Sequence, residues 1–243
     1  MPTIPKMMKA AAIDRSGGPK MLKLHTLPVP GIAADEILIA VHTAGVGPWD
    51  ADIRAGWSPS GKPPKFPLVI GSDGAGVIVA VGKNVRRFRV GEKAYSFIWE
   101  RPKGGFYAQY VAVPAKMAAL VPRQLDLRQA GAIPVTGLTA LQGLDALHLK
   151  KGESLIIHAA TGGVGTMAIQ LAKLRGVRVL AIASGKDGVA LAKRLGADQA
   201  IDGHRGDIAA ATRKFAPQGV DAILAFAGGK ELSKCLDALR SRG

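Results

Sequence analysis

The sequence predicts an α/β plus β fold in two domains: a small all-β barrel or sandwich over residues 1–121, then a doubly wound parallel sheet over residues 122–243. Three observations predict it. The first half is built of short apolar runs separated by Gly and Pro. Past Pro114 to Pro122 the apolar period changes, and strands begin to alternate with helices. A glycine-rich turn then joins the first of these strands to its helix.

The β half contains Glu36 to Val41, Val77 to Val81 and Tyr110 to Val113, set apart by Pro28-Val29-Pro30-Gly31, Gly61-Lys62-Pro63-Pro64 and Gly104-Gly105. Many short strands at this spacing close into a barrel or sandwich. In the second half Leu155 to Ile157 is a compact strand, and Val164, Ala168, Leu171 and Ala172 follow at helical spacing. Val177 to Ala183 and Val189 to Leu195 repeat the strand and helix. Gln199 to Ile201 is a third strand, and Val220 to Phe226 a fourth, before a helix carrying Leu232, Cys235, Leu236 and Leu239. Such alternation implies right-handed crossovers and a parallel sheet buried on both faces.

Composition narrows the function classes. The chain has 243 residues, 48% of them hydrophobic, enough for one generous core or two modest ones. Its single cysteine, Cys235, excludes an internal disulfide and a Cys-rich zinc cluster, and a lone thiol suits a reducing compartment. The start, Met1-Pro2-Thr3-Ile4-Pro5-Lys6, lacks the apolar stretch of a signal peptide, and no window approaches the roughly twenty apolar residues of a membrane span. The expectation is a soluble, cytoplasmic protein with no membrane partner. The net charge of +15 invites a nucleic-acid reading, but residues 1–120 carry 16 Lys and Arg against 8 Asp and Glu, and residues 121–243 carry 17 against 10. An excess spread so evenly is not a binding stripe, so nucleic acid is not expected as the main partner. The dense cluster Arg86-Arg87-Phe88-Arg89 reads as a solvated hairpin.

The chemistry sits at His158-Ala159-Ala160-Thr161-Gly162-Gly163-Val164-Gly165. After an apolar strand, and opening a helix, this is a dinucleotide fingerprint with Ala160, Gly162 and Gly165 in its three small-residue positions. Ala160 permits the tight turn. Gly162 lets backbone approach a pyrophosphate, Gly165 lets helix and strand pack closely, and Gly163 and Val164 add first-turn amides for the anion. The second strand ends Ala181-Ile182-Ala183-Ser184-Gly185-Lys186, without the carboxylate that would accept from a ribose 2′-hydroxyl. A hydroxyl at Ser184 and an ammonium at Lys186 suit a 2′-phosphate instead, so the expected cofactor is NADP. Asp187 weakens that positive potential.

Further markers run through the chain: Ala44 to Asp50, Ile53-Arg54-Ala55-Gly56, Pro67 to Val77, Gly104 to Val111 and Thr136 to Ala140. In this order, with the Ala-Ala-Thr-Gly-Gly-Val-Gly turn, the sequence resembles the medium-chain dehydrogenase/reductase superfamily, in its zinc-free quinone oxidoreductase, zeta-crystallin-like branch. The resemblance implies a GroES-like β-barrel followed by a Rossmann sheet. The Cys, His and Cys that hold catalytic zinc in other branches stand here as Gly47, Ser72 and Ala132, none of them a usual zinc ligand, so no metal is expected. Hydride transfer without a Lewis acid needs an electrophilic acceptor, a quinone or an α,β-unsaturated carbonyl. The resemblance also places Thr136 near the nicotinamide, in the cleft between domains.

Departures qualify this. The family's Asn-Pro-x-Asp is Gly47-Pro48-Trp49-Asp50, the Tyr two positions further is Asp52, and the Tyr after the third strand is absent from Ile201-Asp202-Gly203-His204, leaving His204 or Arg205 to substitute. Asp50 is read as a helix cap or partner of Arg54 ahead of a general acid, and Tyr107 as packing beneath a strand ahead of a proton donor. His158 and Cys235 read as core, and Trp49, Trp57 and Trp99 as pocket walls for a flat substrate or as barrel surface. With no acid clearly placed, the proton is expected from solvent. The alternatives are enoyl-thioester reduction and a non-catalytic NADPH-binding sensor or RNA-associated protein. Relatives usually continue through further strands, whereas this sequence stops at Ser241-Arg242-Gly243. The expectation is a C-terminally truncated sheet whose fourth strand is an open edge, prone to self-association into a homo-oligomer.

Overall fold

The computed structural model describes residues 3–100 and 102–241. It falls into two compact units, one ending at Val135 and the other starting at Thr136.

The first unit runs β1 (Met7–Ile13), β2 (Leu22–Pro28), β3 (Glu36–Ala44), α1 (Pro48–Ala55), β4 (Leu68–Val69), β5 (Asp73–Val81), β6 (Lys93–Phe97), β7 (Tyr110–Pro114), β8 (Ala118–Leu120) and α2 (Leu127–Gly131). One sheet has the order β2-β1-β4 and the other β7-β3-β5-β6-β8, all antiparallel. Alternation sends Ile37 and Ile39 of β3, Ile78 of β5 and Val111 and Val113 of β7 to one interior, where Phe106 joins them. The basic run lies in the connection between the antiparallel strands β5 and β6, as a hairpin requires, with Phe88 buried beneath Arg87. The unit ends at Val135 and not at 121, because α2 packs on β3 and β5. Asp126 and Gln129 form its reciprocal N-terminal cap, and Gly131 lies so close to Thr43 that a Cβ there would meet the Thr43 Cβ at 2.8 Å.

The second unit runs from α3 (Pro134–Leu147), nearly all of which it holds, through β9 (Ser154–His158), α4 (Gly163–Leu174), β10 (Arg178–Ala183), α5 (Gly185–Arg194), β11 (Gln199–Asp202), α6 (Ile208–Phe215) and β12 (Ala222–Ala225) to α7 (Lys230–Leu236). Its sheet is parallel, in the order β11-β10-β9-β12. Every residue of β9 is buried, the pattern of a central parallel strand covered on both faces. Leu155 and Ile157 face one cluster with Ala168, Ile169 and Leu144, while Ile156 faces the other with Leu180, Phe215 and Cys235.

Several elements differ from expectation. The helix α5 starts at Gly185, a full turn before Val189, because Ser184 ends the strand and serves as its N-cap residue. The helix α6 was not anticipated, although Asp207 caps it through the Ala210 amide at 2.9 Å and Ile208, Thr212 and Phe215 are its buried face. In α7 only Cys235 is buried. Leu236 is exposed and Leu239 lies past the helix end, so the predicted apolar face does not form. The predicted strand is covered only at its start: the Val220 amide donates to the Ala238 carbonyl at 2.8 Å and the Arg240 amide donates to the Val220 carbonyl at 3.0 Å, while among the described residues no strand pairs with the outer edge of β12 itself. The end of the sequence at Arg242 and Gly243 lies outside the described residues. Among the described residues no helix is long and apolar enough to cross a membrane.

One buried carboxylate ties the first unit's last segment to its sheet. Asp73, at the start of β5, accepts from the Val135 amide at 3.0 Å, and its backbone carbonyl accepts from Gly45 at 2.9 Å. Its other carboxylate oxygen is buried without a partner. Burial pushes its pKa from 3.8 up to about 6, the Val135 amide opposes the shift, and the neighbouring Asp50 carboxylate adds to it. A folded pKa above the unfolded value means that stability is complete below pH 3.8 and is lost as pH rises through 6. Asp73→Asn keeps an acceptor for Val135 and removes the ionisation. Urea denaturation should therefore show the native protein losing about 2.5 kcal/mol relative to this variant between pH 4 and 7.5. A difference that does not change with pH would contradict the assignment.

Candidate functional site

In the second unit the fingerprint turn has the geometry of an anion cradle. The tight turn falls on Ala159, whose φ is +57°, and not on Ala160 as the motif suggested. Ala160 is wholly buried, its amide donating to Ile182 of β10 at 3.0 Å. Gly165 packs α4 onto this turn, since a Cβ would stand 2.6 Å from backbone atoms of Ala159 and Ala160. Gly162 is the N-cap residue of α4, and a Cβ on it would meet nothing closer than the Ala159 carbonyl oxygen at 3.5 Å. Gly162 thus faces open space while Gly165 is closed against backbone, the contrast expected if the second glycine admits a ligand and the third admits protein. Gly163, Val164 and Gly165 form the first turn of α4, where helix amides have no intrahelical acceptor. No side chain caps this end. Thr136 of α3 stands beside it, its methyl 3.0 Å from where a Cβ of Gly163 would lie.

At the end of β10, Ser184 and Lys186 are exposed. The Ser184 hydroxyl lies 3.4 Å from Nε2 of His204, whose Nδ1 is 3.4 Å from the Glu231 carboxylate. The Glu231 carboxyl is held below its usual range, first by its own backbone amide and then by His204. Lys186 has no ion-pair partner among the described residues. Glu231 was missed from sequence, because nothing local signals that the start of α7 returns to the end of β10. The His158 ring donates from Nδ1 to the Ala227 carbonyl, 3.1 Å away, and is a packed strand residue. Burial pushes the Cys235 thiol up to about 11, and Glu231 adds to the shift, so it is no nucleophile.

In the first unit the polar centre is Asp50, buried at 3% exposure. At the third position of α1 it accepts from the Gly47 amide at 2.9 Å, capping the helix as expected. It does not pair with Arg54, whose Nε donates to the Gly17 carbonyl. Instead Asp50 accepts from the Tyr107 hydroxyl at 3.0 Å and from Ser72 Oγ at 3.3 Å. Two of the three positions that hold zinc elsewhere are therefore joined through one carboxylate. Tyr107 also packs its ring over Gly71, where a Cβ would come within 2.5 Å, so its packing and polar roles coexist. Among the described residues no group of three His, Cys, Asp or Glu could hold a metal ion.

Two family models match the chain: an alcohol dehydrogenase GroES-like domain over residues 33–123, and a zinc-binding dehydrogenase domain over residues 163–243. Human quinone oxidoreductase is 32% identical over 246 residues, spanning all of this chain and 73% of the relative. An Arabidopsis thaliana chloroplastic NADPH-dependent alkenal/one oxidoreductase is 38% identical over 207 residues, 82% of this chain and 53% of the relative. Among solved structures, the Escherichia coli quinone oxidoreductase complexed with NADPH superposes with a TM-score of 0.84 at 26% identity, over 97% of this chain and 71% of the other. The quinone oxidoreductase of Coxiella burnetii gives 0.83 at 34% identity, over 97% and 73%. With its barrel and its dinucleotide sheet matched by separate family models and its full length aligned to quinone oxidoreductases, the chain belongs to the medium-chain dehydrogenase/reductase superfamily, in the quinone oxidoreductase-like branch of these oxidoreductases.

Proposed function

We propose that the chain is an NADPH-dependent, zinc-independent reductase that delivers hydride to a quinone or an α,β-unsaturated carbonyl. The observation that carries the reading is the pairing of an open, uncapped helix end at Gly162 with a carboxylate-free strand end at Ser184 and Lys186. The residues fit NADP. First-turn amides of Gly163, Val164 and Gly165 would take the pyrophosphate, aided by the positive end of α4. Ser184 and Lys186, with His204 beside them, would take the 2′-phosphate by charge-assisted hydrogen bonds. Thr136, against Gly163, would contact the nicotinamide side. When bound, the nicotinamide supplies the hydride, and the protein's task is binding, positioning and exclusion of water.

Zinc independence is supported by the donors present. Gly47 offers no side-chain ligand, Ser72 Oγ is bonded to Asp50, and Ala132 is a methyl group. An acceptor that is already electrophilic needs no Lewis acid, in keeping with relatives named for quinones and for alkenals and enones. Asp50 already accepts from three donors and holds Tyr107 by its hydroxyl, so both are positioning residues in this reading, and the proton comes from solvent.

The direct test is NADPH oxidation over a panel of quinones and enones, with and without chelator. Turnover that chelator leaves unchanged is expected, whereas binding without oxidation of any acceptor would favour a nucleotide sensor. Lys186→Ala should weaken NADPH about ten- to a hundredfold and leave NADH nearly unchanged, measured by titration of cofactor fluorescence. Equal losses for both would remove Lys186 from the 2′-phosphate. Gly162→Ala should fold normally, because a Cβ there meets nothing closer than the Ala159 carbonyl oxygen at 3.5 Å, yet lose at least tenfold in affinity for both cofactors. Unchanged affinity would place the pyrophosphate elsewhere.

A further inference from the structure

The chain has three tryptophans in a sequence with only 5% aromatic residues, and all three meet in the first unit. Trp99 stands edge-on to Trp49 at 6.2 Å and to Trp57 at 5.9 Å. Trp57 and Trp99 nevertheless stay 50% and 38% exposed, an unusual amount of aromatic surface to leave in water. Both line a cleft of about 800 Å³, with Ile53 of α1 and Val69 of β4 on its walls. That volume lies in the range, about 300–1,000 Å³, of sites for small organic molecules. Seven of the chain's 15 prolines line it as well, which fixes the walls before any ligand arrives.

Charge selects among ligands. Lys62 and Lys65 line the cleft, and neither has an ion-pair partner among the described residues. A third lysine, Lys103, is committed to Glu36 at 2.5 Å and to the Gly31 carbonyl at 2.9 Å. One carboxylate, Glu100, also lines the cleft, leaving the two unpaired ammonium groups in excess. An edge-on tryptophan pair suits a flat ring, and unpaired lysines suit an anion attached to it.

We infer that this cleft binds a flat aromatic acid, an aryl carboxylate or sulfonate, with its ring against Trp57 and Trp99 and its anionic group at Lys62 and Lys65. The site lies within the first unit and does not rest on the nucleotide reading, so its test contains no nucleotide. The test is isothermal titration of the full chain with 2-naphthalenesulfonate and, in parallel, with uncharged 2-naphthol. The sulfonate should bind at least tenfold more tightly than the naphthol. Lys62→Ala with Lys65→Ala should remove that advantage and leave the naphthol unchanged; both positions are exposed, so folding should be retained, with circular dichroism as the check. Trp99→Ala should weaken both probes at least tenfold. Absence of binding, equal affinities for the two probes, or a sulfonate affinity indifferent to the lysine pair would overturn the inference. So would a dimer in sedimentation that Trp99→Ala dissociates, since the aromatic wall would then belong to a second copy.

Discussion

The close approach of α4 to the end of β9 sets the terms for the second unit. The helix can start this close to the turn only because Gly165 carries no side chain, since a Cβ there would stand 2.6 Å from backbone atoms of Ala159 and Ala160, and the turn itself takes a positive φ at Ala159. In the strand order β11-β10-β9-β12 the direction of strand addition reverses between β9 and β12, which is where parallel sheets open a crevice for ligands. The wholly buried β9 supplies the rigidity, because both of its faces are packed and it cannot shift without disturbing two cores.

The barrel unit solves a different problem, that of stabilising a polar interior without a metal. A buried carboxylate is costly unless its oxygens are hydrogen-bonded. Asp50 meets that requirement with a backbone amide, a serine hydroxyl and a tyrosine hydroxyl, which together fix the start of α1 against β5's leading segment and the Tyr107 loop. Asp73 meets it only halfway, with one satisfied oxygen and one orphan, and its raised pKa is the consequence. Two carboxylates at different degrees of satisfaction share this region, and the charge on Asp50 adds to the rise that burial imposes on Asp73.

At the far end of β10 the polar groups come from three separate stretches, Ser184, His204 and Glu231. With the Glu231 carboxylate at Nδ1 and the Ser184 hydroxyl at Nε2, the His204 ring is held from both of its nitrogens.

The sequence by itself determined what depends on short-range pattern. The period of apolar residues separated barrel from parallel sheet, and β9, β10, β11 and β12 fall on the runs that start near Leu155, Val177, Gln199 and Val220, with β9 and β11 extended by a residue at their ends and β10 and β12 shortened by one or two. The small residues at 160, 162 and 165 were legible because each answers a local steric demand, although the positive φ fell one residue earlier than the motif implies. Asp50 as a cap was legible too, since a cap and its amide are three residues apart. Only the tertiary structure decided the rest. Tyr107 and Asp50 are 57 positions apart, and Glu231 reaches His204 across α6 and β12, so no window of sequence contains either pair. The unit boundary moved to Val135 because α2, which reads as the start of the helical half, buries its face on β3 and β5. Leu236 and Leu239 were placed in the core by spacing, yet a helix of seven residues ends before the second and turns the first to solvent. Periodicity specifies that a face is apolar; which partner covers it is settled by the packing of elements distant in the chain.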